Sequence, residues 1–157
     1  MKKIFFTVAL FATAFAQYGI AQDNTKPQSP LLLDSYYNLK DALVGSNAKA
    51  AATSAEEFIK AVNAADKEIL KEDSRNALLN DAGVISKTND IKVQREKFAS
   101  LSTNMYTLAK TVKLSTEPVY QQYCPMKKAS WLSNNKAVKN PYYGNAMLTC
   151  GSIKETL

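Results

Sequence analysis

No histidine occurs anywhere in the 157 residues. Its absence excludes Ser–His and Cys–His nucleophile pairs and imidazole acid–base catalysis, and with them the His-containing zinc and copper(II) sites. Glycine is scarce, five in all, and none is arranged as a phosphate-cradling loop. The carboxylates fall mainly on helix faces where solvation accounts for them. The sequence is therefore read as that of a non-enzyme. Long apolar runs are also lacking. The longest, residues 4–15, falls well short of the roughly 20 residues that a spanning helix needs.

That run has another reading. Lys2 and Lys3 precede it, and Gly19-Ile20-Ala21 puts small residues at −3 and −1 of a cleavage point before Gln22. This is the layout of a secretory signal peptide over residues 1–21, with Ala14-Phe15-Ala16 as an alternative cleavage site. Residues 22–30, with two prolines, read as a flexible leader. Residues 31–157 then form a single domain, expected in the periplasm or secreted, with no membrane span once the signal is removed. Removing Lys2 and Lys3 from the formal charge of +6 leaves a balance too weak to argue for nucleic acid. Acidic residues are absent from 118–154, whereas Lys127, Lys128, Lys136, Lys139 and Lys154 all fall there. The C-terminal part is thus the electropositive end.

The body of the domain is patterned as helix. Leu32, Tyr36, Leu39 and Leu43 repeat at helical spacing, and Gly45 is expected to end the element. Asn47 caps a second helix whose seam is Ala48, Ala51, Ala55, Phe58, Val62 and Ala65. A third is less regular, with Asp73 or Ser74 as its cap, Ala77 and Leu78 on its stripe, and Gly83 weakening it. The fourth carries Ile91, Phe98, Leu101, Met105, Leu108 and Val112 on one face, with Asn89 or Asp90 as cap. Short connections favour antiparallel neighbours. The expected fold is mainly α, an up-and-down four-helix bundle with a small C-terminal cap over residues 117–157. In that cap, residues 119–124 read as a short strand and 129–132 as its partner.

The chain holds two cysteines, both in the cap, and two of its four methionines stand beside them. Cys124 and Met126 flank Pro125, and Met147 and Cys150 lie three apart between Gly144 and Gly151. If that second stretch is a helical turn, both sulfurs face the same way. Residues 123–151 resemble the domain family of unknown function numbered 3347. The shared elements are Cys124-Pro125-Met126, Trp131-Leu132-Ser133, Asn140-Pro141-Tyr142-Tyr143-Gly144 and Met147-Leu148-x-Cys150-Gly151. Residues 31–114 are similar mainly in pattern. Some members carry His where this chain has Tyr123. The family occurs in exported proteins of Bacteroidota-type bacteria and at the C-terminus of some copper/silver efflux adaptor proteins. The resemblance therefore implies soft-metal handling, with a heavy-metal efflux adaptor or another envelope protein as partner.

Two chemistries remain open for these residues. Cu(I) and Ag(I) take thiolate and thioether ligands, which Cys124, Met126, Met147 and Cys150 supply. Trp131 would then shield the metal. Alternatively, the cysteines of an exported protein oxidise, and Cys124–Cys150 staples a helical interaction module that docks on another envelope protein without metal. Closing a loop of about 27 residues would stabilise it by roughly 3–4 kcal/mol. Both readings require the cysteines to meet.

Overall fold

The computed structural model describes residues 28–157. The expected signal peptide and leader residues 22–27 lie outside the described residues. Four helices come first: α1 Gln28–Val44, α2 Ala48–Ala64, α3 Glu72–Ser86 and α4 Ile91–Thr111. A three-stranded antiparallel sheet follows, β1 Tyr120–Cys124, β2 Ala129–Ser133 and β3 Ser152–Thr156, in the order β2-β1-β3. The chain is mainly α, as its periodicities predict.

Helix α1 buries the expected seam of Leu32, Tyr36, Leu39 and Leu43 completely. It starts at Gln28, inside the stretch read as flexible leader. Pro30 is compatible with that start, because first-turn N–H groups have no intrahelical partner to lose. Gly45 ends the helix as expected, directly after Val44, and the left-handed residue is the next one, Ser46 (φ 54°). Ser46 N–H donates to Leu43 O at 3.1 Å and Asn47 N–H to Ala42 O at 3.0 Å, the paired bonds of a Schellman stop. Asn47 then caps α2, its Oδ1 accepting from Ala50 N–H at 3.0 Å. The alanines of the α2 seam, Ala51 and Ala55, and the large Phe58 are all fully buried. Burying a side chain such as Phe58 contributes about 1.5–3 kcal/mol.

Helix α3 begins earlier than Asp73 or Ser74. Lys71 precedes its first turn with no side-chain cap, and Glu72 and Asp73 sit within that turn, where carboxylates complement the helix dipole. Its stripe includes the buried Arg75. That guanidinium donates to Val62 O, to Ala65 O at 2.8 Å and to Leu70 O at 3.3 Å, satisfying carbonyls at and beyond the end of α2. Asp90 caps α4 by accepting from Lys92 N–H at 2.8 Å. Phe98, Leu101 and Met105 on its stripe are fully buried. Gln94 Nε2 donates to Ala48 O at 2.9 Å and Thr88 O at 2.7 Å, tying the start of α2 to the turn before α4. Each helix packs on the next in sequence, and α4 also packs on β2.

Strands β1 and β2 form the expected hairpin, with Gln121 opposite Leu132 and Gln122 opposite Trp131. Strand β3 was not expected. It joins the other edge of β1, with an irregularity at Gln121/Gln122. Several joints hold the sheet to the helices. The Tyr36 hydroxyl lies 2.8 Å from Ser102 Oγ and accepts from Leu132 N–H at 3.0 Å. Phe98 lies between Tyr36, at 5.3 Å between ring centres, and Tyr142, at 6.0 Å. Arg95 donates to Leu43 O at 3.0 Å, to Ser46 Oγ at 2.9 Å and to Pro141 O at 2.9 Å.

Candidate functional site

Cys124 is the last residue of β1, and its position follows from the hairpin. Residues 125–128 form the reversing loop, closed by Lys128 N–H donating to Cys124 O at 2.8 Å. Lys128 itself is left-handed (φ 56°). The N–H groups of Lys127 and Met126 in this loop favour the Cys124 thiolate. The Cys124 residue is fully buried.

Cys150 arrives from the far side of the cap. Asn140, fully buried, holds it there. Its Nδ2 donates to Cys150 O at 2.8 Å, its backbone N–H donates to Leu148 O at 2.8 Å, and its Oδ1 accepts from Tyr142 N–H at 2.8 Å. One asparagine thus fixes both ends of the segment between the Asn-Pro turn and the second cysteine. Gly151 completes the approach. A Cβ there would come within 2.9 Å of both Trp131 Cη2 and Tyr123 O, so only glycine lets the chain pass this close.

The two sulfurs come to 3.1 Å from one another across 26 positions of sequence. Both cysteines are free, Cys124 buried and Cys150 half-buried. Their protons are unequal. Burial pushes the Cys124 thiol up, but the Cys150 thiol, the Lys127 N–H, the Asn140 side chain and the Met126 N–H outweigh it and hold Cys124 below the ordinary thiol range. Cys150 is raised, chiefly by its hydrogen bond to Cys124, then by burial and by the neighbouring charge. Such a pair carries one thiolate more readily than two.

The methionines differ. Met105 is a core residue, as its helical stripe predicts. Met126 is 66% exposed on the hairpin loop, so it is not a core methionine. Met147 is half-buried. It lies just past a single 3-10 turn, Gly144–Ala146, and not on an α-helical turn with Cys150. Cys150 N–H nevertheless donates to Met147 O at 3.1 Å, closing a turn between them. Trp131 is 1% exposed and packs edge-on to Tyr142 at 5.8 Å. Its indole N–H meets no acceptor among the described residues. Lys127 and Lys128 are exposed beside Cys124.

Among the described residues, no three His, Cys, Asp or Glu side chains gather. A metal held here would rest on two thiolates, with thioether or solvent completing its shell. Sequence reasoning identified the thiols but missed Asn140 as their clamp. The Asn-Pro signal marked a turn, while its partner carbonyl lay ten residues away.

No curated protein and no solved structure matches the chain. A family pattern does match, over residues 32–117. It spans α1 through α4 apart from the first residues of α1, and it stops before both cysteines, whereas the resemblance read from sequence was most specific in the tail. By this match over more than half its length, the chain belongs to the family described as "Protein of unknown function (DUF3347)".

Proposed function

We propose that this protein binds a soft monovalent metal ion, Cu(I) or Ag(I), through Cys124 and Cys150, and accepts, buffers or hands it on outside the cytoplasm. The observation that carries the reading is the 3.1 Å approach of two free sulfurs. Small movements of the side chains would give a two-coordinate dithiolate, a shell that soft d¹⁰ ions accept. The Cys124 thiolate is favoured by N–H donors before any metal arrives. Met126, exposed two residues on, offers a thioether that an incoming ion meets from solvent, and Met147 offers a second. Trp131 closes the inner side of the cap. The short turns between helices fit an up-and-down order, with the cap laid along α4 from Arg95 to Lys110.

Export is supported by the basic and apolar pattern of residues 2–21. An efflux adaptor or another envelope protein is the partner in this reading, with the lysine-rich tail as the docking end. No catalytic role is assigned. The test is a competition titration of reduced protein against a Cu(I) chelator. Cys124→Ser and Cys150→Ser should abolish tight binding. Reduced wild type that cannot compete for Cu(I) would overturn the reading. The same sulfur approach favours a second reading, a disulfide-stapled interaction module without metal. A free-thiol count with metal analysis, on protein from its native compartment, separates the two.

A further inference from the structure

We infer that Cys124 and Cys150 form an ordered redox pair, oxidised through Cys150 by small-molecule disulfides of the glutathione class, and that oxidation closes the soft-metal site. Only the consequence for metal rests on the reading above. The order of reaction rests on geometry.

Cys124 is fully buried at the end of β1, beneath the hairpin loop, while Cys150 is half-buried in the turn before β3. An external disulfide therefore meets Cys150 first. Cys150 passes its proton to the Cys124 sulfur 3.1 Å away and attacks one sulfur of oxidised glutathione, the glutathione S–S bond breaks, and one glutathione thiolate leaves. The mixed disulfide now stands beside Cys124, whose sulfur was 3.1 Å from that of Cys150. Cys124 attacks the Cys150 sulfur, the bond to glutathione breaks, and the second glutathione thiolate leaves. Two protein thiols have lost two electrons and two protons, and one glutathione disulfide has become two thiols. The reverse begins at the same, less buried cysteine, with reduced glutathione attacking Cys150.

The second step needs no long search, because Asn140 already holds the Cys150 backbone in place. Once both sulfurs share a disulfide bond, neither is a thiolate, and the ion loses its two strongest ligands. Met126 and Met147 alone would hold it weakly. The dithiol and disulfide readings thereby become two states of one site.

The test uses purified, reduced protein exposed to oxidised glutathione and followed by intact mass. Wild type should lose both thiols without retaining an adduct. Cys124→Ser should accumulate one glutathione at Cys150. Cys150→Ser should keep its thiol free until denatured. Reduced glutathione should restore both wild-type thiols. The order is overturned if native Cys150→Ser takes up glutathione as fast as Cys124→Ser does. It is also overturned if wild type keeps both thiols, or if its disulfide resists reduced glutathione. Circular dichroism of each variant verifies that the fold is retained. Should the adduct pattern appear while reduced wild type fails to bind Cu(I), the metal reading falls and the redox order stands. Should Cu(I) bind while Cys150→Ser takes the adduct, the reverse holds.

Discussion

The Leu132 N–H donates to the Tyr36 hydroxyl at 3.0 Å, so the first helix and the hairpin share a hydrogen bond across 96 positions of sequence. The same hydroxyl meets Ser102 on α4. Tyr36→Phe keeps the ring stack on Phe98 but strands a buried backbone N–H. It should lower unfolding stability by about 1–3 kcal/mol, measured by urea titration. Far-UV circular dichroism should be unchanged.

Asn140→Asp separates the acceptor role of one side chain from its donor roles toward Cys150 O and the Cys124 sulfur. The acceptor for Tyr142 N–H survives, but the donor to Cys150 O is replaced by an oxygen facing a carbonyl. Loss of one such bond, at about 1.4 kcal/mol, should reduce the equilibrium tendency of Cys124 and Cys150 to pair by about tenfold in a glutathione redox buffer. A wild-type equilibrium would refute the clamp.

Gly144 is left-handed (φ 55°), and a Cβ there would approach the Arg95 guanidinium at 2.6 Å and Val44 O at 2.9 Å. Gly144→Ala should therefore combine backbone strain with loss of the Arg95 bridge, lowering stability by more than about 2 kcal/mol. Thermal unfolding reads this directly.

Glu155 carries a pH dependence. The Lys110 ammonium at 2.5 Å and the Tyr106 hydroxyl at 2.6 Å both donate to it, and they hold its carboxyl below the ordinary carboxylate range. The unfolded chain thus binds this proton more readily than the folded one. The stabilisation is present above the unfolded value of about 4.3 and is lost as pH falls through the depressed folded value. Because the pair is exposed, salt should weaken it. Glu155→Gln should flatten the acid limb of a stability–pH curve and the alkaline limb too, because the same carboxylate raises the Lys110 and Tyr106 pKa values in the folded protein.

Met126→Leu tests the thioether. Its exposed position predicts a stability change within about 0.5 kcal/mol, whereas Cu(I) affinity should fall measurably. Equal affinity would remove Met126 from the ligand set and leave the thiols.

Three helices were legible because each has an unbroken seam: leucines and tyrosine in α1, alanines and Phe58 in α2, Phe98 through Leu108 in α4. Helix α3 was blurred because its inward face includes the buried Arg75 and Asp81, polar residues that a hydrophobic pattern discounts. Strand β3 could not be read from Ser-Ile-Lys-Glu-Thr. It has a single apolar residue, stays largely exposed and owes its form to pairing with β1. The meeting of Cys124 and Cys150 was legible from chemistry, since either use demands it. The exposure of Met126 was not, because a Cys-Pro-Met turn can present its third side chain inward or outward depending on the loop that follows.

The face of α4 that meets the cap has a consequence for how relatives can be built. Arg95, Phe98, Ser102, Tyr106 and Lys110 each reach the tail, directly or through Tyr36. A relative keeping residues 32–117 but lacking the tail would expose Phe98 and the Tyr36 ring to water. Its α4 would have to be rewritten with polar side chains at those positions, or covered by some other segment. Aromatic residues at 98 and 106 with Arg at 95 would thus be expected in chains that carry a docked cap, and polar replacements at 98 and 106 in chains that do not.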